Sequence, residues 1–439
     1  MQLLKENNLN DRCFERKDRY NAFSKGLEYN CFVLPVYEYS AMRTDVLLLY
    51  SWVRSSYAVL NNLHTRKLSV ATGDSVPLGM CQLSRLKVHQ YRYVSPLVNN
   101  DLFVQQLCKI LEKTTPVLLL PSHDETEIIA ANRHRFPDSV QIPIPSIEQI
   151  CLANDKSRIQ EFAVQCGVPC AWRFAYRVAD DLLESIDNNV KTVIRLRKGN
   201  SAKGVFYATG PQETVSTLSS IITKYNCTSE RRPVVQEYVH GDGWGVSCLY
   251  WEGKRIAHFT HHRLREKTLT GGTSTLREHK PNELLEQMAF TLLDNLQWHG
   301  LAMVEFKYDS QSGNGYFIEI NPRLWGSIHL AISAGVEFPY LLYLCATQGP
   351  DAARAYQKSC TVKYPWRSRW YLGDCIAAVD RVRSGRVIDA LRCLLPGGTD
   401  TYDDINWRDP GAFLGEILYY AHGFIRSGST NPVQDGMIG

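Results

Sequence analysis

GLAMVEFKYDSQSGNGYFIEINPRLWG, residues 300–326, decides how the rest of the chain is read. Its two apolar runs, Leu301–Phe306 and Tyr316–Ile320, flank a loop with Gly313, Asn314 and Gly315, the pattern of a β-hairpin. Each run carries one carboxylate among apolar neighbours, Glu305 on the first and Glu319 on the second. The second run leads directly into Asn321, Pro322 and Arg323. A half-buried carboxylate costs several kcal/mol unless a cation compensates it, and two facing carboxylates raise each other's pKa. A divalent cation relieves both penalties. The oxygen-only set of Glu305, Glu319 and the Asn321 amide suits Mg²⁺, with Mn²⁺ as the alternative. The Arg323 fork suits a phosphate or carboxylate. The competing reading is two edge-strand glutamates paired with surface lysine or arginine.

Composition narrows the classes. A chain of 439 residues is too long for one core and suggests two to four units. Apolar and charged shares of 44% and 21% are those of an ordinary globular protein. A net charge of +4, with no long basic run, gives no support for nucleic-acid binding. No apolar stretch reaches the roughly 18 residues of a membrane span, and the polar start MQLLKENNLNDR lacks the apolar middle of a signal peptide. The expectation is a cytoplasmic protein with no membrane partner. The 13 cysteines have no regular spacing and read as reduced thiols rather than a zinc site or disulfide framework.

Upstream of the hairpin, residues 1–44 form an N-terminal extension with a short strand at Cys31–Val36. From Asp45 the pattern alternates. Strands are expected at Val46–Tyr50, Leu68–Thr72 and Val117–Leu120, with helices at Arg54–Leu63 and Asp101–Glu112, which implies a parallel sheet. Ligands sit off the carboxyl ends of such strands, making Ser51, Asp74 and Ser122–Glu125 candidate contacts against plain loop chemistry. No G-x-G-x-x-G follows the first strand, which argues against a dinucleotide domain. Lys156 stands near the start of a helix, Ser157–Cys166, closed by Gly167. A strand at Thr192–Leu196 leads into the loop Arg197–Gly204, where glycines and small polar residues let backbone N–H groups approach phosphates. It is not a Walker A loop. Val234–Val239 reads as a strand entering a Gly241-Asp242-Gly243 turn, followed by a hairpin, Val246–Trp251 and Arg255–Thr260, around Glu252-Gly253. Adjacent His261 and His262 point to opposite strand faces and do not bind one metal. Arg263 and Arg265 share a face by the same period and are expected to grip an anionic substrate, beside a Gly271-Gly272-Thr273-Ser274 loop. Asn282–His299 reads as a core helix with Leu284, Leu285, Met288, Leu292 and Leu296 on one face. Ser327 and His329 follow the Asn-Pro-Arg turn and face either substrate or a helix start. Beyond Pro350 come helices at Ile376–Leu395 and Ala412–Ile425, an acidic loop at Asp400–Asp409, and a tail, Ser427–Gly439, expected to be disordered.

Glu305 together with Glu319-Ile320-Asn321-Pro322-Arg323 resembles the metal and phosphate motif of the ATP-grasp superfamily of ligases, and further motifs lie upstream in that family's order. The likeness covers roughly residues 154–349, and residues 45–150 more weakly. It implies an α/β chain, α+β in the grasp lobes. A small parallel-sheet domain (45–150) precedes an ATP-grasp domain (151–349), and a helical extension (350–439) follows. By the resemblance, Lys156 reaches the nucleotide phosphates and the loop with Lys198, Ser201 and Gly204 covers them. Arg195 stands where the family usually has a lysine, with Lys198 as a substitute. The backbone at Tyr238 and Val239 bonds the adenine edge, Gln236 or Glu237 its amino group, and Asp242 the ribose. The implied reaction joins a carboxylate to an amine. ATP phosphorylates the carboxylate, the amine attacks the acyl phosphate, and ADP and phosphate leave. Mg²⁺ would rest on Glu305, Glu319 and Asn321, and Arg323 would stabilise the acyl phosphate. No protein nucleophile is needed. Small-molecule carboxylate and amine substrates are the expected partners, and a homodimer is the default assembly. The alternatives are a carboxyphosphate-forming carboxylase or carbamoyl-phosphate-type enzyme, and a non-catalytic nucleotide-binding module.

Overall fold

Val46-Leu47-Leu48-Leu49 is buried at every position, as a parallel strand covered on both faces must be. It lies between Val70–Asp74 and Leu118–Leu120, and His89–Arg92 closes the sheet beyond Val70–Asp74, all parallel. The computed structural model describes residues 43–199, 204–268, 271–395 and 397–427. The expected extension at 1–44 therefore falls almost wholly outside the described residues, as does the tail from 428. The second strand begins two residues later than its apolar run suggested and extends through Asp74. The His89–Arg92 strand has no apolar run, because it is an edge strand with exposed alternate positions.

A second, antiparallel sheet orders Arg173–Phe174, Val234–Glu237, Lys191–Arg195 and Val205–Thr209. Helix Gly210–Lys224 packs Leu218 and Ile221 against its Ile194 and Val235. The third sheet has seven strands in the order Asn314–Asn321, Gly300–Asp309, Asp242–Trp251, Lys254–Thr268, Gly271–His279, Trp366–Arg369 and Thr401–Tyr402. All its pairings are antiparallel except the last. Glu252 and Gly253, at φ 50° and 76°, make the two-residue turn between its third and fourth strands.

Period-2 alternation places the site. Leu301 and Met303 face a core shared with Leu249, Ile256, Phe259 and the parallel-sheet residues Val46, Leu48 and Leu60. Ala302, Val304 and Phe306 face the other way, into a core with Trp244, Val246, Cys248, Tyr250 and helix Glu283–Asn295. Glu305 thus continues the Leu301–Met303 face.

Three expectations need correction. Gly271–His279 is a strand, so Gly271-Gly272-Thr273-Ser274 is not a free loop. The C-terminal region is not helical alone, since Trp366–Arg369 and Thr401–Tyr402 extend the large sheet. Leu284 is 47% exposed, outside the face formed by Leu285, Met288 and Leu292. The last helix, Pro410–Ser427, crosses Met80–Leu83 so closely that a Cβ on Gly415 would stand 2.1 Å from the Gly79 carbonyl oxygen. Among the described residues, no single helix is long and apolar enough to cross a membrane, and no disulfide joins the cysteines.

Candidate active site

Glu305 and Glu319 are direct cross-strand partners. Immediately beyond them the register slips, so that Phe306 pairs with Phe317. The slip turns Phe317 into the apolar core and leaves the Ile318 carbonyl to accept a hydrogen bond from Arg195 Nη1 at 3.1 Å. Arg195 Nη2 donates to Glu319 Oε2 at 2.9 Å. Lys156 Nζ lies 3.7 Å from the same oxygen and donates to the Gly199 carbonyl at 2.6 Å. Its helix, Lys156–Gln165, starts at an Asp155 cap that accepts from Ser157 and Arg158 N–H and is itself gripped by Arg197. Arg263 Nη2 sits 2.6 Å from Glu305 Oε2, and Asn321 Nδ2 donates to Glu305 Oε1 at 3.0 Å. Arg323 makes no ion pair among the described residues; its Nη1 donates to the Leu324 carbonyl.

The charges are uneven. Burial pushes Glu305 above the usual carboxylate range despite Arg263. Burial acts on Glu319 the same way, but Lys156, Arg195, Arg323 and Arg263 together outweigh it and hold that group low. Burial lowers Lys156, against the pull of Glu319. Four cations face three carboxylates, since Glu266 also lies 3.5 Å from Arg263, and the net excess of positive charge favours a polyphosphate. The carboxylate pair and the Asn321 amide supply the hard-oxygen donors that Mg²⁺ takes, so the residues present fit that ion. Among the described residues no group of three or more His, Cys, Asp or Glu is placed to hold a metal.

The glycines of the Gly241–Gly245 stretch have a packing role. Asp242 already belongs to a strand, and a Cβ on Gly245 would stand 2.4 Å from the His261 ring, while one on Gly243 would touch Arg263 at 3.0 Å. Both side chains reach across the strand through these gaps. Gly204, at φ 81°, closes the Arg197–Gly204 loop where Leu196 N–H meets its carbonyl, and a Cβ there would lie 2.8 Å from Leu196.

A family described as ATP-grasp in the biosynthetic pathway with Ter operon matches residues 229–366. Biotin carboxylase from Campylobacter jejuni, solved as a β,γ-ATP complex, superposes with a TM-score of 0.58 at 14% identity, covering 74% of this chain and 75% of that one. L-amino acid ligase from Bacillus licheniformis superposes with a TM-score of 0.53 at 12% identity, covering 70% and 75%. The chain has the ATP-grasp fold. A curated relative, carbamoyl-phosphate synthase from Methanobrevibacter smithii, is 20% identical over 264 residues, 58% of this chain, and the match spans only 64% of that relative's length.

Within this ATP-grasp frame, Lys156, Arg195, Arg263, Glu305, Glu319, Asn321 and Arg323 come together and others do not. Lys198 turns away to Glu127, 3.4 Å off. Arg265 reaches the buried Asp374 at 2.7 Å rather than joining Arg263. The cause is a register slip between Arg263 and Arg265, which breaks the alternation that put them on one face. Gln236 is 3% exposed, and its Nε2 has no partner among the described residues. The Glu237 and Tyr238 N–H groups donate to the Trp172 and Lys191 carbonyls, so of the backbone groups expected at the adenine edge the Tyr238 N–H is already engaged. Glu237 is exposed, and Val239 follows the strand as a half-buried residue. Asp242 pairs with His262 at 3.2 Å. Ser201 lies outside the described residues, as do Asn200, Ala202, Lys203 and Thr270.

His261 and His262 do diverge. His261 is buried against Ser327 Oγ, and His262 stacks on Trp244. His329 bonds Thr401. Asp74 ties its loop to the one after the first strand, accepting from Val76 and Trp52 N–H, and Glu125 braces its own, accepting from Ser122 and His123 N–H. Ser51 leans on Asp74 at 3.4 Å. Sequence reading missed Arg54, which appeared only as a helix start. Its partner Asp403 lies 349 residues away, and no local pattern announces such a pair.

Proposed function

We propose that this chain is an ATP-dependent carboxylate–amine ligase working through an acyl phosphate. The observation that carries the reading is the opposed Glu305–Glu319 pair, with Asn321 beside it and Lys156, Arg195, Arg263 and Arg323 gathered around. Glu305, Glu319 and Asn321 would hold Mg²⁺, which would supply charge neutralisation to the nucleotide's phosphates. Lys156 and Arg195, both buried and held beside Glu319, would turn donors toward the phosphate oxygens as the metal takes over that carboxylate. Gln236 donates its unpartnered amide to the adenine ring. Arg323, which makes no ion pair among the described residues, steadies charge on the acyl phosphate and on the tetrahedral centre formed when the amine attacks. As that centre collapses the C–O bond breaks with its electron pair leaving on phosphate, and the departing phosphate takes up the amine proton.

The neighbouring biotin carboxylase structures, among them one of the Hydrogenobacter thermophilus enzyme with MgADP and bicarbonate, favour bicarbonate activation as a second reading. An assay of ADP and phosphate release by the full chain separates the two. Release that requires both a carboxylic acid and an amine from a panel of amino acids supports the ligase. Release with bicarbonate alone supports the second reading, and nucleotide binding without turnover on any pair removes both.

A further inference from the structure

Arg54 begins the helix Arg54–Thr65, just beyond the carboxyl end of the first parallel strand. Three contacts fix its guanidinium. Nε donates to Asp403 at 3.2 Å. The plane lies over the Trp370 ring, 4.0 Å from its centroid, and Trp370 is pinned in turn by its Nε1–H donated to Glu416 at 3.0 Å. Nη2 packs against Gly326, where a Cβ would stand 2.6 Å away. The terminal nitrogens have no acceptor among the described residues. Gly326 ends the turn that carries Asn321 and Arg323, so this fork packs against the chain three residues after Arg323. A stacked, pre-aimed fork with free terminal N–H groups is a carboxylate receptor.

Resting on the ligase reading above, we propose that Arg54 binds the carboxylate of the amine substrate, which makes that substrate an amino acid. The reacting carboxylate must lie at the γ-phosphate, with the Glu305–Glu319 pair and Arg323. A fork on the far side of the turn serves a second anionic group. An amine carrying its own carboxylate meets both demands. Gly326 is then a specificity device, since only glycine leaves room for the fork.

The test uses the full chain and the best amino-acid acceptor found by ADP release, compared with the same amino acid as its carboxamide. Wild type should prefer the acid over the amide by roughly 10- to 100-fold in kcat/KM, the range of a charged hydrogen-bonded pair. Arg54→Gln should raise KM for the acid by that factor and abolish the preference, with KM for ATP unchanged within about threefold. Asp403 keeps Arg277 and Ser368, so folding should persist. Gly326→Ala, which displaces the fork without removing it, should act in the same direction. Retained acid preference in both variants overturns the proposal while leaving the ligase intact. Absence of acid- and amine-dependent ADP release in wild type defeats the ligase reading itself.

Discussion

Replacing Glu319 by glutamine removes one charge and almost no volume, so its effect is electrostatic. Glu319 is the shared counter-ion of Arg195 at 2.9 Å and Lys156 at 3.7 Å, whose side chains are 7% and 9% exposed. Removing one partner of a buried ion pair costs about 3–5 kcal/mol. The glutamine oxygen still accepts from Arg195, which puts the nucleotide-free protein near the lower end, about 3 kcal/mol. Losing a charge-stabilising group at the reacting centre costs about 10²–10³ in kcat. Glu319→Gln should therefore lower both the thermal midpoint and ADP release at saturating Mg²⁺ and ATP. Glu337→Gln is the control. Glu337 also serves buried and cationic partners, Asn62 and Arg66, but away from the site, so it should lose stability and keep kcat. Turnover of Glu319→Gln within about threefold of wild type would refute the reasoning, because the acid would then only neutralise its neighbours.

Gly204→Ala should weaken ATP binding and cost more than about 1 kcal/mol of stability, since φ 81° suits glycine and the added methyl meets Leu196; nucleotide titration and thermal melting check it. Gln236→Leu should weaken ATP about tenfold and blunt the preference for ATP over GTP without loss of stability, because the amide nitrogen it removes is buried and unpaired; competition binding with the two nucleotides reads this. Burial raises Asp74 to about 6. A carboxyl raised on folding contributes stability that is fully present below its unfolded pKa near 4 and lost as pH rises through 6. Asp74→Asn should thus gain stability relative to wild type by up to about 3 kcal/mol between pH 4 and 7, measured by denaturant unfolding across that range.

The hairpin and its two acids were legible because each is the lone carboxylate in an apolar run; Glu305 follows the alternation of its strand, while Glu319 meets it only across the register slip at Ile318. The helix after Lys156 was legible through its Gly167 stop, while the Asp155 cap that starts it one residue early shows only in the structure. What failed to show was whatever depends on register or on distant chain. One extra residue between Arg263 and Arg265 sends two like residues to different acids, and composition does not reveal a bulge. Gly271 and Gly272 look like a loop because glycine disfavours strands, yet antiparallel pairing with the preceding strand, Thr268 opposite Gly271, overrides that preference. Trp366–Arg369 pairs with Gly271–His279 across nearly a hundred residues, so its strand character is tertiary. Arg54, Asp403 and Trp370 meet only after the C-terminal segment folds back over the parallel sheet.

The central claim is that a magnesium–nucleotide complex rests between Glu305–Glu319 and the Lys156–Arg195 pair. Isothermal titration of the full chain with a non-hydrolysable ATP analogue, with Mg²⁺ and with excess EDTA, tests it most directly. The account predicts one site per chain, tightened at least about tenfold by the metal, with that gain lost in Glu305→Gln. Equal affinity with and without metal, or a metal gain that survives in Glu305→Gln, would contradict it.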